Sequence, residues 1–288
     1  MAEGAFHSYE ERIDAKKIRG RSESFSDHFS QPALFYRSLA DWEKSHVANA
    51  YAFELGKCNH DPIKERMLWL IAQIDQDLAK KVAEDLGMSV PSSIEKPINQ
   101  AIGADAKVKE HQPGKKKNYL DKSPALSQAN TKFESIAARK IAVLVADGFR
   151  MKDYENVQKL EKEGATLVLI APHGGTVTCD QNMKHSVGAA IATTESVLFD
   201  AVYIPGGSKS IKALQKEAKF TKFLNEAFKH CKAIIADNEG EDLIDGTYIQ
   251  HHKEDQAVLI NEKVAVIKKT IAQHRNWKRM EIAEMVPA

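Results

Sequence analysis

The sequence predicts an α/β protein: a three-layer α/β/α sandwich around a parallel sheet, preceded by an α-helical hairpin and a linker. Three observations carry that reading. From Arg139 onward, short apolar runs alternate with helical stripes of ordinary length. The stretch Lys232–Ile244, K-A-I-I-A-D-N-E-G-E-D-L-I, runs from an apolar strand through a tight polar turn into a helix start. Before Arg139, residues 38–87 hold two stripes of helical period and residues 88–138 hold none.

The chain of 288 residues, 43% hydrophobic, can bury a sizeable core and suggests about two domains. Lys+Arg (41) and Asp+Glu (40) nearly cancel, so no field of one sign argues for nucleic acid or an anionic membrane. Cys58, Cys179 and Cys231 are odd in number and widely scattered, which reads as free thiols in a reducing compartment rather than a disulfide framework. With neither a basic leader nor an apolar span, the expected location is cytoplasmic, with no membrane partner.

Taken in order, residues 1–37 are polar and aromatic-spotted without a period, and are expected to form an extended arm. Ser38 and Asp41 suggest a capping box for a helix carrying Leu39, Trp42, Val47, Ala50 and Phe53 as far as Gly56. Asp61-Pro62 opens a second helix, with Ile63, Met67, Leu70, Ile71, Ile74, Leu78 and Val82, ending at Gly87. The pair makes a helical hairpin over residues 38–87 whose apolar side needs a partner surface. Prolines, Gly114 and Lys115-Lys116-Lys117 mark residues 88–138 as a linker, its lysine run a solvated tether.

Residues 139–288 form the α/β domain. Strands are expected at Ile141–Ala146, Ala165–Ala171, Ala201–Pro205 and Lys232–Ala236, with a turn and short strand at His173–Asp180. Helices are expected around Tyr154, Val157 and Leu160, from Ser208 through Phe228, and after an Asn261 cap. That order predicts a flavodoxin-like sandwich, covered by helices on both faces.

Pro205-Gly206-Gly207 either cradles an oxyanion at the next helix or supplies a turn that needs glycine torsions. No dinucleotide or P-loop fingerprint is present. His251 and His252 with Glu254 and Asp255 contain metal-binding groups at a spacing that matches no familiar set, and read as a solvated polar loop. Asp237, Glu239, Glu241 and Asp242 are read as charges at a helix start rather than an acid/base pair. Cys179 and Cys231 lack a neighbour that would activate a thiol.

Three segments, R-K-I-A-V-L-V-A-D-G-F at Arg139–Phe149, D-A-V-Y-I-P-G-G at Asp200–Gly207 and the elbow at Lys232–Ile244, resemble the ThiJ/PfpI-type, class I glutamine amidotransferase-like domain. In catalytic members a Cys follows the strand and a Glu follows the first strand; laid onto this chain those places fall at Asn238 and near Arg150. The resemblance therefore implies a vestigial elbow of Asn238, Glu239 and Gly240, with no catalytic, cofactor-binding or metal residue. Arg21–Phe35, Glu43–Lys57 and Ile63–Ala79 in turn resemble the helical segment of large-subunit haem catalases, in which a nucleophile-free ThiJ/PfpI-like domain follows a linker; Ser123–Ser127 is similar to that linker's end.

Catalases of that family turn hydrogen peroxide into water and oxygen at a haem held in a β-barrel, with a proximal Tyr in an R-x-F-x-Y motif. No such motif occurs here, the barrel has no room before Met1, and His28, Tyr36 and His46 belong to the helical pattern rather than to haem. The resemblance thus implies a catalase C-terminal region without its own cofactor, structural or oligomerising in role, its partners a catalase barrel or neighbouring subunits. The alternatives are a holdase-type chaperone and, behind it, a cysteine-dependent glyoxalase or deglycase.

Overall fold

A computed structural model describes residues 8–14, 23–100, 107–114, 120–131 and 133–288. The lysine run Lys115-Lys116-Lys117 and the arm residues 1–7 and 15–22 lie outside the described residues. The chain forms two compact units, Met1–Asn130 and Thr131–Ala288.

The first unit is helical: α1 (Ser30–Ser38), α2 (Asp41–Gly56), α3 (Asp61–Ile74) and α4 (Gln76–Asp85). The end of the expected extended arm is thus a helix. Asp27 accepts the Ser30 amide at 3.0 Å, and Tyr36 buries beside Leu39, Leu68, Ile71, Leu78 and Val82, so the sparse apolar groups of α1 are covered by later helices. The Ser38–Asp41 capping box does not form. Ser38 Oγ turns back to the Leu34 carbonyl at 2.6 Å, and the Ala40 N–H at the start of α2 goes to Glu43 at 2.8 Å. Buried Glu43 also accepts Ser127 Oγ at 2.7 Å and the Gln128 N–H at 2.8 Å, which ties the end of the linker to this helix.

The second expected helix is broken at Asp75, whose backbone is extended (φ −155°, ψ 131°). Its carboxylate takes the amides of Asp77 and Leu78 at 3.0 and 2.9 Å. An aspartate that offers the backbone a cap competes with helix continuation, and here the cap wins. The expected hairpin is therefore part of a bundle that includes α1 and a separate α4. Residues 88–100, 107–114 and 120–130 hold only short 3-10 turns, at Val108–His111, Pro124–Leu126 and Gln128–Asn130.

The second unit contains β1 (Lys140–Leu144), α5 (Met151–Gln158), β2 (Thr166–Ala171), β3 (Thr176–Thr178), β4 (Lys184–Ser186), β5 (Ala189–Ala190), β6 (Ala201–Ile204), α6 (Ser208–Leu214), α7 (Ala218–Lys229), β7 (Ala233–Ala236), α8 (Glu241–Ile244), β8 (Val258–Ile260) and α9 (Val264–Ala272). The six-stranded sheet runs β5-β2-β1-β6-β7-β8 and all its pairings are parallel. Apart from edge strand β5, this is the flavodoxin-like order, whose switch point falls between β1 and β6. Alternation within the strands builds two cores. Ile141, Val143, Tyr203 and Ile235 face Val157, Ile267 and Ile271 of α5 and α9, while Leu144, Val202, Ile204 and Ile234 face Leu214, Phe220, Phe223 and Ile244 of α6, α7 and α8.

Three local expectations are corrected. The stretch from Ser208 to Phe228 is two helices, because Leu214 and Phe220 sit six positions apart, off one 3.6-residue stripe, and each helix buries its own set. Helix α9 begins after Lys263; Asn261 is not its cap but holds a left-handed turn, φ 54°. His251 and His252 end a 3-10 helix, Tyr248–His252, in which the His252 ring stacks on Phe228 at 5.7 Å, so this segment is packed rather than a solvated loop.

Candidate functional site

The elbow sits where the sequence places it, at the carboxyl end of β7. Asp237 ends the strand, Asn238 follows with φ 51°, and a 3-10 turn at Asn238–Gly240 leads into α8. The left-handed conformation costs an L-residue about 1–2 kcal/mol and is tolerated best by Gly, Asn and Asp. Asn238 is held there from both ends: its N–H donates to Asn261 Oδ1 at 2.6 Å, and its Nδ2 lies 3.1 and 3.0 Å from the two carboxylate oxygens of Asp153. Gly240 packs so closely on β6 that a Cβ would stand 2.4 Å from the Ile204 carbonyl oxygen.

The loops after β1 and β6 meet this turn across the switch point. The Gly206 N–H donates to Asp153 Oδ2 at 2.9 Å, and the Gly207 N–H to Glu239 Oε2 at 3.1 Å. Arg150, in the loop before α5, brings Nη2 to 2.7 and 2.6 Å from the two oxygens of Glu239. A Cβ at Gly206 would lie 2.6 Å from Glu239 and 2.9 Å from Asp153, so there is no room for another group between them. The glycine amides that could have cradled an oxyanion are occupied by the chain's own carboxylates, each already bonded to a side-chain donor.

Electrostatics follow this packing. Hydrogen bonds from its own amide and from Gly207, with Arg150 adding to them, hold the Glu239 carboxyl below the usual range. Burial pushes the Asp237 carboxyl up; the Tyr203 hydroxyl, hydrogen-bonded to it, works against that rise and the Asp153 charge adds to it. The same hydroxyl lies 3.0 Å from the Asp153 carbonyl oxygen. Glu241 is turned away from Asp237 and Glu239 to Lys253, 2.6 Å distant.

Of the predicted residues, the structure brings Asn238, Glu239 and Gly240 together with Gly206, Gly207 and Arg150. It adds two that the sequence reading missed, Asp153 and Asn261. Asp153 stands three positions after Arg150 in the first turn of α5, and that spacing was its only local signal. Both thiols are buried: Cys231 precedes β7 at the far end of the strand, where burial pushes its thiol up to about 11, and Cys179 is bridged through its backbone to Phe149 in the loop before α5. Among the described residues no group of three His, Cys, Asp or Glu could hold a metal ion, and no helix is long and apolar enough to cross a membrane.

Fold and elbow together define a flavodoxin-like α/β sandwich whose strand–turn–helix after β7 carries Asn238 at its turn. Residues 137–281 match the family described as the C-terminal domain found in long catalases, and residues 22–86 match the catalase-related immune-responsive family. The chain belongs to the long-catalase C-terminal family. It is 37% identical to catalase HPII of Pseudomonas putida over 99% of its length, 32% identical to catalase-2 of Bacillus subtilis over 96%, and 31% identical to catalase-B of Dictyostelium discoideum over 99%. In each case it spans only 38–39% of the relative's length. The chain is thus the counterpart of a catalase C-terminal region, and these comparisons give the holdase alternative no support.

Among the described residues, His28, Tyr36 and His46 do not fit as haem ligands. Tyr36 is buried in the helical core with Lys44 6.0 Å from its ring, His46 packs edge-on against Trp42, and His28 is bonded to the Phe25 carbonyl. A cavity of about 560 Å³ in this unit is lined by Pro62, Arg66, Leu70 and Pro97 among others, with no His, Tyr, Cys or Met to ligate iron.

Proposed function

We propose that this chain serves as the non-catalytic C-terminal region of a catalase, contributing to assembly with a haem barrel and neighbouring subunits rather than to peroxide chemistry. The observation that carries this reading is the closed elbow. Asp153 and Glu239 fill the amide cradle, Asn238 replaces the nucleophile, Cys231 lies at the opposite end of β7 and Cys179 is buried. Such a site has no attacking atom, no vacant oxyanion donors and no space for substrate, so cysteine-dependent glyoxalase or deglycase chemistry has nothing to act through.

The family reaction, hydrogen peroxide to water and oxygen, belongs in this reading to the haem-bearing part of the relatives, which this chain does not match. The experiment is a graft: the chain replaces the matched region of the Pseudomonas putida catalase. The graft should assemble with turnover per haem within about threefold of the parent. A graft that assembles normally but loses turnover would place chemistry in this region and overturn the proposal.

A further inference from the structure

The opposite end of the sheet holds a second cluster of charge. Asp200, just before β6, accepts the Lys140 N–H at 2.9 Å, and onto its Oδ1 converge Arg139 Nη1 at 3.4 Å, His274 Nε2 at 3.5 Å and Arg275 Nη1 at 3.9 Å. Lys232, at the foot of β7, is 2% exposed and gives its ammonium to the Ser196 carbonyl. Phe133 closes one side, edge-on to His274 at 5.4 Å and with the Arg139 guanidinium 4.9 Å from its ring centre.

These contacts are looser than a formed Arg–carboxylate pair. Buried Arg279, a short distance away, grips Asp255 at 2.6 and 3.0 Å and also donates to the Phe228 and Lys232 carbonyls at 3.0 and 2.8 Å. By contrast Arg139 and Arg275 converge on the single carboxylate of Asp200, Arg275 Nη1 also donating to the His274 carbonyl at 2.9 Å, while Lys232 feels Asp200 and Glu226 only through space and Glu226 is engaged with Lys222 at 3.4 Å. Burial and then the charge of Arg275 press Lys232 down to about 8 and His274 down to about 4, against the opposing charge of Asp200. The side chains of Arg139, Arg275, Asp200 and His274 are 15%, 16%, 23% and 27% exposed, so the cluster is mostly covered but reaches solvent at its edge.

We propose that this cluster is a binding site for a dianionic phosphate group, held between the guanidinium forks of Arg139 and Arg275 beside His274. Two guanidiniums that approach one carboxylate oxygen leave further N–H donors that match phosphate oxygens, and a dianion adds negative charge where basic groups outnumber the one carboxylate. Binding favours protonation of His274, which is faced by Arg139 just before β1, Asp200 just before β6, Lys232 just before β7 and Arg275 beside it.

The test titrates inorganic phosphate, and separately glycerol phosphate, into the intact chain at constant ionic strength set with chloride. Thermal midpoint and the His274 ring resonance are read together. Both ligands should raise the midpoint and move the His274 titration up by about one pH unit or more, whereas Lys219→Gln, a distant surface change, should respond like the parent. Arg275→Gln and His274→Gln, two variants so that one folding failure leaves the other, should weaken phosphate binding by about tenfold or more. Tighter binding of the ester would assign the phosphate to a small molecule, and equal binding to the free ion. A response matched by chloride alone, or unchanged in a folded Arg275→Gln protein, would overturn the site.

Discussion

Arg150 reaches across the switch point to Glu239 and places one guanidinium nitrogen 2.7 and 2.6 Å from both carboxylate oxygens. Both side chains are about one-third exposed, 33% and 31%, so the ion pair is partly screened. Glu239→Gln should cost about 1 kcal/mol near pH 7, from weakened hydrogen bonds with the Glu239 and Gly207 amides and the lost Arg150 ion pair. Because the folded-state pKa of Glu239 is depressed, its contribution is present above the unfolded value of about 4.3 and lost as pH falls through the folded one. Urea midpoints of parent and variant should converge below that window; a gap that persists in acid would contradict the assignment.

Asp237 has the opposite sign. Its folded-state pKa is raised, first by burial, so the native state holds a proton that the unfolded chain has lost. Stability then falls as pH rises from about 3.9 through the folded value. Asp237→Asn keeps an acceptor for Tyr203 and removes the titration, so the variant should gain on the parent over that range. Parallel stability curves for the two proteins would refute this.

Asn238→Ala keeps the strand–turn–helix but places a Cβ residue without a polar arm at φ 51° and removes the bonds to Asp153. The expected loss is about 1–2 kcal/mol, with Asn238→Gly losing less because glycine meets no penalty in the left-handed region. If Gly proves as costly as Ala, the Asp153 bonds rather than the torsion dominate.

Arg279 is the largest fully buried side chain, pairs with Asp255 and lies 4.1 Å from the centre of the Phe228 ring. Arg279→Met should cost about 3–5 kcal/mol by stranding a buried carboxylate, and adding Asp255→Asn should recover part of that loss. A double mutant no more stable than Arg279→Met would show that the carboxylate is not the source of the cost.

Much of this was legible in the residues. The alternation after Arg139 fixed an α/β sandwich, and Gly207 and Asn238 fall at strand ends in left-handed backbone, which glycine and asparagine report locally. Partnerships were not legible. Asn261 was read as a cap and is instead the acceptor for the Asn238 amide, 23 positions away; Asp153 reaches Asn238 across 85. Helix α1 was missed because its cover comes from α3 and α4, and the break at Asp75 because a carboxylate there can either continue a helix or start one. Long-range contacts decided each case, and local periodicity does not contain them.

The most direct measurement is a titration of the purified chain with haemin, followed by absorbance and by oxygen release on adding peroxide. A spectrum that stays that of free haemin, with no oxygen release above free haemin, is the predicted result. A ligated Soret band accompanied by oxygen evolution in proportion to the chain would contradict a non-catalytic C-terminal region.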